Sequence, residues 1–388
     1  MDPLQRLTAA TRERTAAGLH RTLHPRPPGP WLLDLASNDY LGLSGDARLA
    51  EGAVEAVRTW GVGSTGSRLV TGTTELHTEL ERRLAEFTGM PSALVFSSGY
   101  LANLGVLTAL RPRLIVSDEG NHASLIDGCR LSRAEVTVTP HGDVGAVDAA
   151  LVGTEDAVVV TDAVFSVDGD LAPLRELHQV VRRHGGILVI DEAHALGVVG
   201  PDGRGAAYAA GLAGQPDVVL TATLSKSLGA QGGAVLGAPE VIETLIDTAR
   251  SFVFDTGLAP ACAGAALAAL DVLAAEPDLP DRARACALRL AGVARELGLA
   301  TTSPAAAVVP VIIGDPHEAV RATGLCADMG VRVGCFRPPS VPAGRACLRL
   351  TARADLGEAD LTVVSKALTT VMQRTRPYPA PNAGATRR

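Results

Sequence analysis

Short apolar runs recur at regular intervals through the first two thirds of the chain. They fall at residues 93–96, 114–116, 136–138, 157–160, 187–190, 218–220 and 234–236, each rich in β-branched residues and each separated from the next by helical or loop stretches. Runs this short and apolar read as strands buried on both faces, and their alternation with helical spacing predicts an α/β domain with a mostly parallel sheet. Upstream, Leu4, Leu7, Ala10, Ala16 and Leu19 keep helical spacing until the proline-rich stretch 24–30. Residues 31–36 then predict a short strand, and 47–60 a helix entering the glycine-rich loop 61–67. Beyond residue 280 the pattern loosens: helices at 282–297, 318–329 and 361–371 alternate with strands at 308–313, 331–336 and 346–350. The chain therefore divides into an N-terminal arm and linker (1–45), a large domain (46–278), a smaller α+β domain (279–373) and a Pro-, Ala- and Arg-rich tail (374–388) expected to be disordered.

Composition narrows the function classes. A length of 388 residues favours two domains. A net charge of −7 with no basic run argues against nucleic acid as a partner. The six cysteines (Cys129, Cys262, Cys286, Cys326, Cys335, Cys347) have no metal-ligand spacing, so no metal site is expected and free thiols in a reducing cytoplasm are. The longest apolar stretch, 259–275, is Ala-rich and broken by Asp271; it reads as a buried helix, and no membrane contact is expected. The N-terminus lacks the apolar core of a signal peptide.

Candidate chemistry centres on a lysine. Only Lys226 and Lys366 occur in the chain, the other basic residues being arginines. Lys366 lies in a helical pattern, where a solvated side chain is ordinary. Lys226 follows the strand at 218–220 among Thr223, Ser225, Ser227 and several glycines, at the place where open α/β sheets bind ligands. It is either a loop lysine or the amine that a phosphate-bearing carbonyl cofactor needs. Asp191 ends the strand at 187–190, with His194 close behind. A carboxylate at that depth requires a cationic partner, and a pyridinium nitrogen is one. The letters DEAH at 191–194 also occur in helicases, but that reading needs a phosphate loop with GK[ST], which is absent from the sequence. Ser98 is either a helix cap or part of a phosphate site at the start of the following helix. His122 is either a satisfied loop histidine or a flat platform, and Ser166 offers a hydroxyl after another strand. Residues 61–66 match GxGxxG, yet a helix precedes them where the dinucleotide fingerprint needs a strand. No GxSxG or HExxH motif occurs.

Seven segments, SNDYLGL, GSTGSRLVTGT, NHAS, VFSVDGD, DEAHALGVVG, TLSKSLGAQGG and RPPSVPAGRACLRL, resemble in order and spacing the motifs of the α-oxoamine synthases. These are pyridoxal 5'-phosphate (PLP) enzymes of fold type I, and the likeness runs from about Arg21 to Thr351. It implies a large PLP-binding domain with a seven-stranded, mostly parallel sheet, and a smaller α+β domain. It implies that Lys226 holds PLP as a Schiff base and shuttles the substrate's α-proton, that Asp191 pairs with the pyridine nitrogen, and that His122 stacks on the ring and lies against substrate. His194 and Ser166 would reach the phenolic oxygen, while Gly99, Tyr100 and Thr223 would cradle the phosphate. Thr256 would complete the phosphate site of a partner subunit in a homodimer whose sites lie at the interface. Arg337, near Asn38, would bind the amino-acid carboxylate, with Ser340 beside it, and Arg21 would lie on the acyl-thioester side. Asp162 stands where glutamate is usual and Ser340 where threonine is. Within the family the wording is most similar to the branch serving biotin biosynthesis, which implies L-alanine and pimeloyl-CoA or pimeloyl-ACP as substrates. The branch joining glycine to acetyl-CoA is the second reading, and a non-catalytic PLP-fold protein, which would be expected to lose Lys226 or Asp191, is the alternative from another class.

Overall fold

The computed structural model describes residues 4–29 and 32–375. The expected disordered tail lies outside the described residues from residue 376 on, as does Trp31 of the first predicted strand. In chain order the structure begins with α1 (Gln5–Ala16) and a three-residue strand, β1 (Leu33–Leu35). Two helices follow, α2 (Ala47–Trp60) and α3 (Glu75–Thr88). Asp46 caps α2 by accepting from the Arg48 backbone N–H at 2.8 Å, and Gly61 ends the helix at a φ of 86°. No element predicted from the apolar pattern corresponds to α3.

Next comes the strand-and-helix alternation: β2 (Ser92–Phe96), α4 (Gly99–Leu110), β3 (Leu114–Asp118), α5 (Ala123–Ser132), β4 (Glu135–Thr139), β5 (Ala157–Asp162), β6 (Ile187–Asp191), β7 (Val218–Thr223) and β8 (Gly233–Gly237). These seven strands form one sheet in the order β2-β8-β7-β6-β5-β3-β4. Only β8 runs against its neighbours. The central strands β5 and β7 are buried along their whole length, and Val158, Val160, Val189, Val219 and Val235 pack against Val106 and Leu107 of α4 and Leu125 of α5. At about 1.5–3 kcal/mol for each large apolar side chain taken from water, this layer is ample to anchor the rim above it. The edge strand β4 exposes Val136 and Val138.

The remaining strands, β9 (Val308–Gly314), β10 (Val331–Phe336) and β11 (Ala346–Thr351), make a second sheet with β1 in the order β1-β10-β11-β9. β1 pairs parallel to β10, with Leu35 opposite Val333. A final helix spans Glu358–Arg374. The chain divides into two compact units. Asn38–Ser166 and Asp170–Ala283 form one; residues up to Ser37, the short segment Val167–Gly169 and the chain from Arg284 form the other. Asn38–Gly45, read from sequence as the end of the arm, thus belongs with the larger unit.

The GxGxxG match takes a different shape from the dinucleotide fingerprint. Helix α2 precedes it, and the loop pairs with a distant segment through Ser67 and Thr256, with the Gly257 N–H donating to the Gly66 carbonyl at 3.0 Å. Arg68 pins this loop: buried, it donates to Glu81 at 2.8 Å and to the Val95 carbonyl at 2.9 Å.

Candidate active site

Lys226 sits in the hairpin between β7 and β8, and that connection explains the antiparallel strand. Leu224 N–H donates to the Gly232 carbonyl and Ala230 N–H to the Leu224 carbonyl, both at 3.0 Å, closing the hairpin above the Thr223–Gly233 pair. Gly229 turns the chain at a φ of 58°, where an added Cβ would lie 2.9 Å from the Leu43 and Ser44 backbone. The hairpin raises the half-buried Lys226 over the carboxyl ends of the parallel strands.

A hydrogen-bonded file leads away from the amine. Lys226 Nζ lies 3.0 Å from His194 Nε2, His194 Nδ1 lies 2.5 Å from the Tyr40 hydroxyl, and that hydroxyl donates to Asn38 Oδ1 at 3.3 Å. Tyr40 is fully buried, which fixes the file in place.

A second network is built around Asp191. Its Oδ1 accepts from the Ala193 N–H at 2.9 Å and its Oδ2 from Asn103 Nδ2 at 2.7 Å. Asn103 also donates to Ser124 Oγ at 2.8 Å, and Ser124 Oγ lies 2.7 Å from His122 Nδ1. The His122 backbone N–H donates to Asp162 Oδ2 at 3.1 Å, and Asp162 stands opposite Asp191 in the β5–β6 register. Burial, and then the neighbouring Asp191 charge, push the Asp162 carboxyl well above the usual range. The His122 ring is open to solvent, yet the protein packed around it holds its pKa below the ordinary imidazole value, against the pull of Asp191 and with that of Lys226. His122 therefore lies in the field of both networks, as a neutral ring beside a carboxylate and an amine.

The same rim carries the start of α4. Gly99 and Tyr100 open α4, where the first N–H groups have no partner within the helix. Ser98 Oγ accepts from the Leu101 N–H at 3.2 Å, so this serine is a helix cap. A Cβ on Gly99 would meet Thr223 Cβ at 3.1 Å, which keeps the space above the Thr223 hydroxyl clear. Ser166 lies half-buried in the turn between Val164 and Leu171. An amine, a buried carboxylate, a hydroxyl cradle at a helix start and a flat ring are the donor set that a phosphorylated pyridine aldehyde needs, and the residues fit PLP. Thr256 is exposed on its own loop, whose Asp255 accepts from the Ser97 hydroxyl.

The class I and II aminotransferase model matches residues 31–368. The 8-amino-7-oxononanoate synthase of Mycolicibacterium smegmatis is 59% identical over 380 residues, covering 97% of this chain and 98% of that one. That of Mycolicibacterium paratuberculosis is 58% identical, covering 96% and 97%. Among solved structures, a serine palmitoyltransferase from S. paucimobilis superimposes with a TM-score of 0.88 at 30% identity, covering 96% and 99%. The chain belongs to the α-oxoamine synthases.

In this α-oxoamine synthase the remaining expected residues lie in the other unit. Arg337 donates to the Gly18 carbonyl at 2.5 Å and to the His20 carbonyl at 3.3 Å, so it grips the arm beside Arg21. Ser340 is exposed, its N–H donating to the Arg337 carbonyl at 3.0 Å. Sequence reasoning overlooked Tyr40, Asn103 and Ser124. Asn103 carried a signal: an amide inside the apolar run of α4 has to find a buried partner. Tyr40 and Ser124 sit inside quoted motifs but only the folded chain shows what they touch.

Proposed function

We propose that this chain is an 8-amino-7-oxononanoate synthase: with PLP as cofactor it condenses L-alanine with a pimeloyl thioester, releasing carbon dioxide and the free thiol, in biotin biosynthesis. The observation that carries the reading is the Lys226 amine, 3.0 Å from His194 Nε2, on the rim where Asp191 is held by Asn103 and Ala193. Bound PLP supplies an electron sink that acidifies the amino acid's α-carbon. The protein's part is positional and protonic. Lys226 would hold the cofactor's carbonyl carbon and, as a free amine, would take the α-proton, with His194, backed by Tyr40, within hydrogen-bond distance of it. Asp191 would face the pyridine nitrogen, Ser166 and His194 would serve the phenolic oxygen, and Gly99, Tyr100 and Thr223 would hold the phosphate. His122 would lie against the ring and the substrate. Arg337, with Ser340, would bind the carboxylate of the amino acid, and Arg21 would meet the acyl donor, either pimeloyl-CoA or pimeloyl-ACP.

The unit of function is a homodimer with Thr256 completing the partner's phosphate site. Val62, Leu69, Val70 and Phe254 are strongly exposed on and around the loop that pairs with Thr256, an apolar surface that calls for cover. Six free cysteines fit a reducing cytoplasm. No helix among the described residues is long and apolar enough to cross a membrane.

The deciding experiment is a substrate panel that follows thiol release from purified protein. L-alanine with pimeloyl-CoA or pimeloyl-ACP should be the best pair. Glycine with acetyl-CoA outperforming it would move the chain to the other branch, and a colourless protein that gains no visible band with PLP would sink the cofactor reading.

A further inference from the structure

His141 stands outside every motif discussed so far, on the turn after β4, yet it touches both turns that carry rim residues. Its Nδ1 lies 3.0 Å from Asp118 Oδ1 and its Nε2 lies 2.7 Å from Asp170 Oδ2. An ionised carboxylate can only accept, so both ring nitrogens must donate and the ring is an imidazolium. Asp118 begins the turn that ends at His122: its Oδ1 accepts from the Gly120 N–H at 2.7 Å and its carbonyl from the Asn121 N–H at 3.2 Å. Asp170 closes the turn that holds Ser166, its carbonyl accepting from the Phe165 N–H at 3.0 Å. The Phe165 ring meets the His141 ring edge to face at 4.2 Å. Asp170 Oδ1 is buried with no hydrogen-bond partner, which leaves this carboxylate dependent on the imidazolium.

We infer that His141 is a positioning residue: as a doubly protonated clamp between Asp118 and Asp170 it holds the His122 turn and the Ser166 turn in the register that receives PLP. This rests on the reading of His122 and Ser166 as cofactor-facing residues. The charged groups facing the ring are Asp118, Asp170 and, through its bond to the His141 backbone N–H at 3.2 Å, Glu119. The side chain is 38% exposed, so water weakens each pair and the clamp acts through two of them. Burial lowers the ring's pKa, but the two carboxylate bonds outweigh it and the net direction is upward. A raised imidazole pKa makes the clamp complete below the ordinary value of about 6.5 and loosens it as pH rises through the folded-state value.

The test measures the dissociation constant for PLP from about pH 6 to 9 in wild type, His141→Gln and Asp170→Asn, alongside the ring's own titration by histidine-labelled NMR. Wild-type affinity should weaken toward high pH by about three- to tenfold, while His141→Gln should be weaker at low pH by the same factor and lack that inflection. Asp170→Asn, which keeps the side-chain shape, should move the ring's titration toward the ordinary imidazole value. A His141→Gln protein with wild-type affinity and wild-type pH dependence overturns the clamp, as does a ring carrying one proton at neutral pH. Wild-type protein that binds no PLP would instead defeat the cofactor reading, leaving the ring titration to judge the imidazolium separately.

Discussion

At the scale of single residues, the site depends on side chains whose state is set by what they touch. Lys226→Ala removes the only lysine among the described residues of the rim; turnover should fall by at least ~10²–10⁴-fold, and the visible band of bound cofactor should disappear from the absorption spectrum. Tyr40→Phe tests the file behind the lysine. The phenyl ring fills the buried space but lacks the hydroxyl that meets His194 Nδ1. Turnover should fall about tenfold with cofactor still bound, a split that steady-state kinetics and absorbance together resolve. Asn103→Leu leaves Asp191 Oδ2 without its amide donor, and PLP affinity should drop by about tenfold. Lysine 226 and Asp191 were both legible in the sequence as candidates. What sequence left open was whether Lys226 was more than a loop residue, because a lysine's neighbours in space are absent from its neighbours in the chain.

At the scale of elements, the hairpin carrying Lys226 and the segment following Asp191 are the devices that aim the chemistry. Gly229→Ala places a Cβ in left-handed backbone against Leu43 and Ser44; thermal unfolding should show a loss of about 1–3 kcal/mol, with a parallel loss of PLP affinity. Beyond Asp191, the buried Glu192 accepts from the Ala207 N–H at 2.6 Å and the Ala206 N–H at 3.0 Å, capping the short helix Ala206–Ala209. Burial pushes its carboxyl up to about 7 in spite of those two bonds. A folded-state pKa above the unfolded one adds stability at low pH that is lost as pH rises through the folded value. The melting temperature should therefore decline between about pH 5 and 7, and Glu192→Gln should flatten that slope in a pH series of thermal melts. The seven strands of the large sheet were readable from their apolar runs, whereas the reversal of β8 was not. An apolar run has the same letters in either direction, and only the pairing of Thr223 with Gly233 settles it.

At the scale of the whole molecule, the homodimer proposal predicts that the exposed apolar surface is covered in solution. Leu69→Glu combined with Val70→Glu should shift the protein to monomer by light scattering and lower both PLP retention and turnover. Mixing Lys226→Ala with Thr256→Ala subunits should restore part of the activity that each homodimer lacks, because one hybrid site then has both residues.

By itself the sequence determined the strand alternation, the positions of Lys226 and Asp191 at strand ends, and, through seven ordered motifs, the family to which the chain belongs. Those are properties of local pattern and spacing, which survive without coordinates. The tertiary structure alone decided that β1 joins the second sheet beside β10, that Tyr40 backs His194, that Asn103 holds Asp191, and that His141 bridges Asp118 and Asp170. Each is a pairing between residues far apart in the chain, and a hydrogen bond or ion pair depends on distances of about 3 Å that only the folded backbone sets.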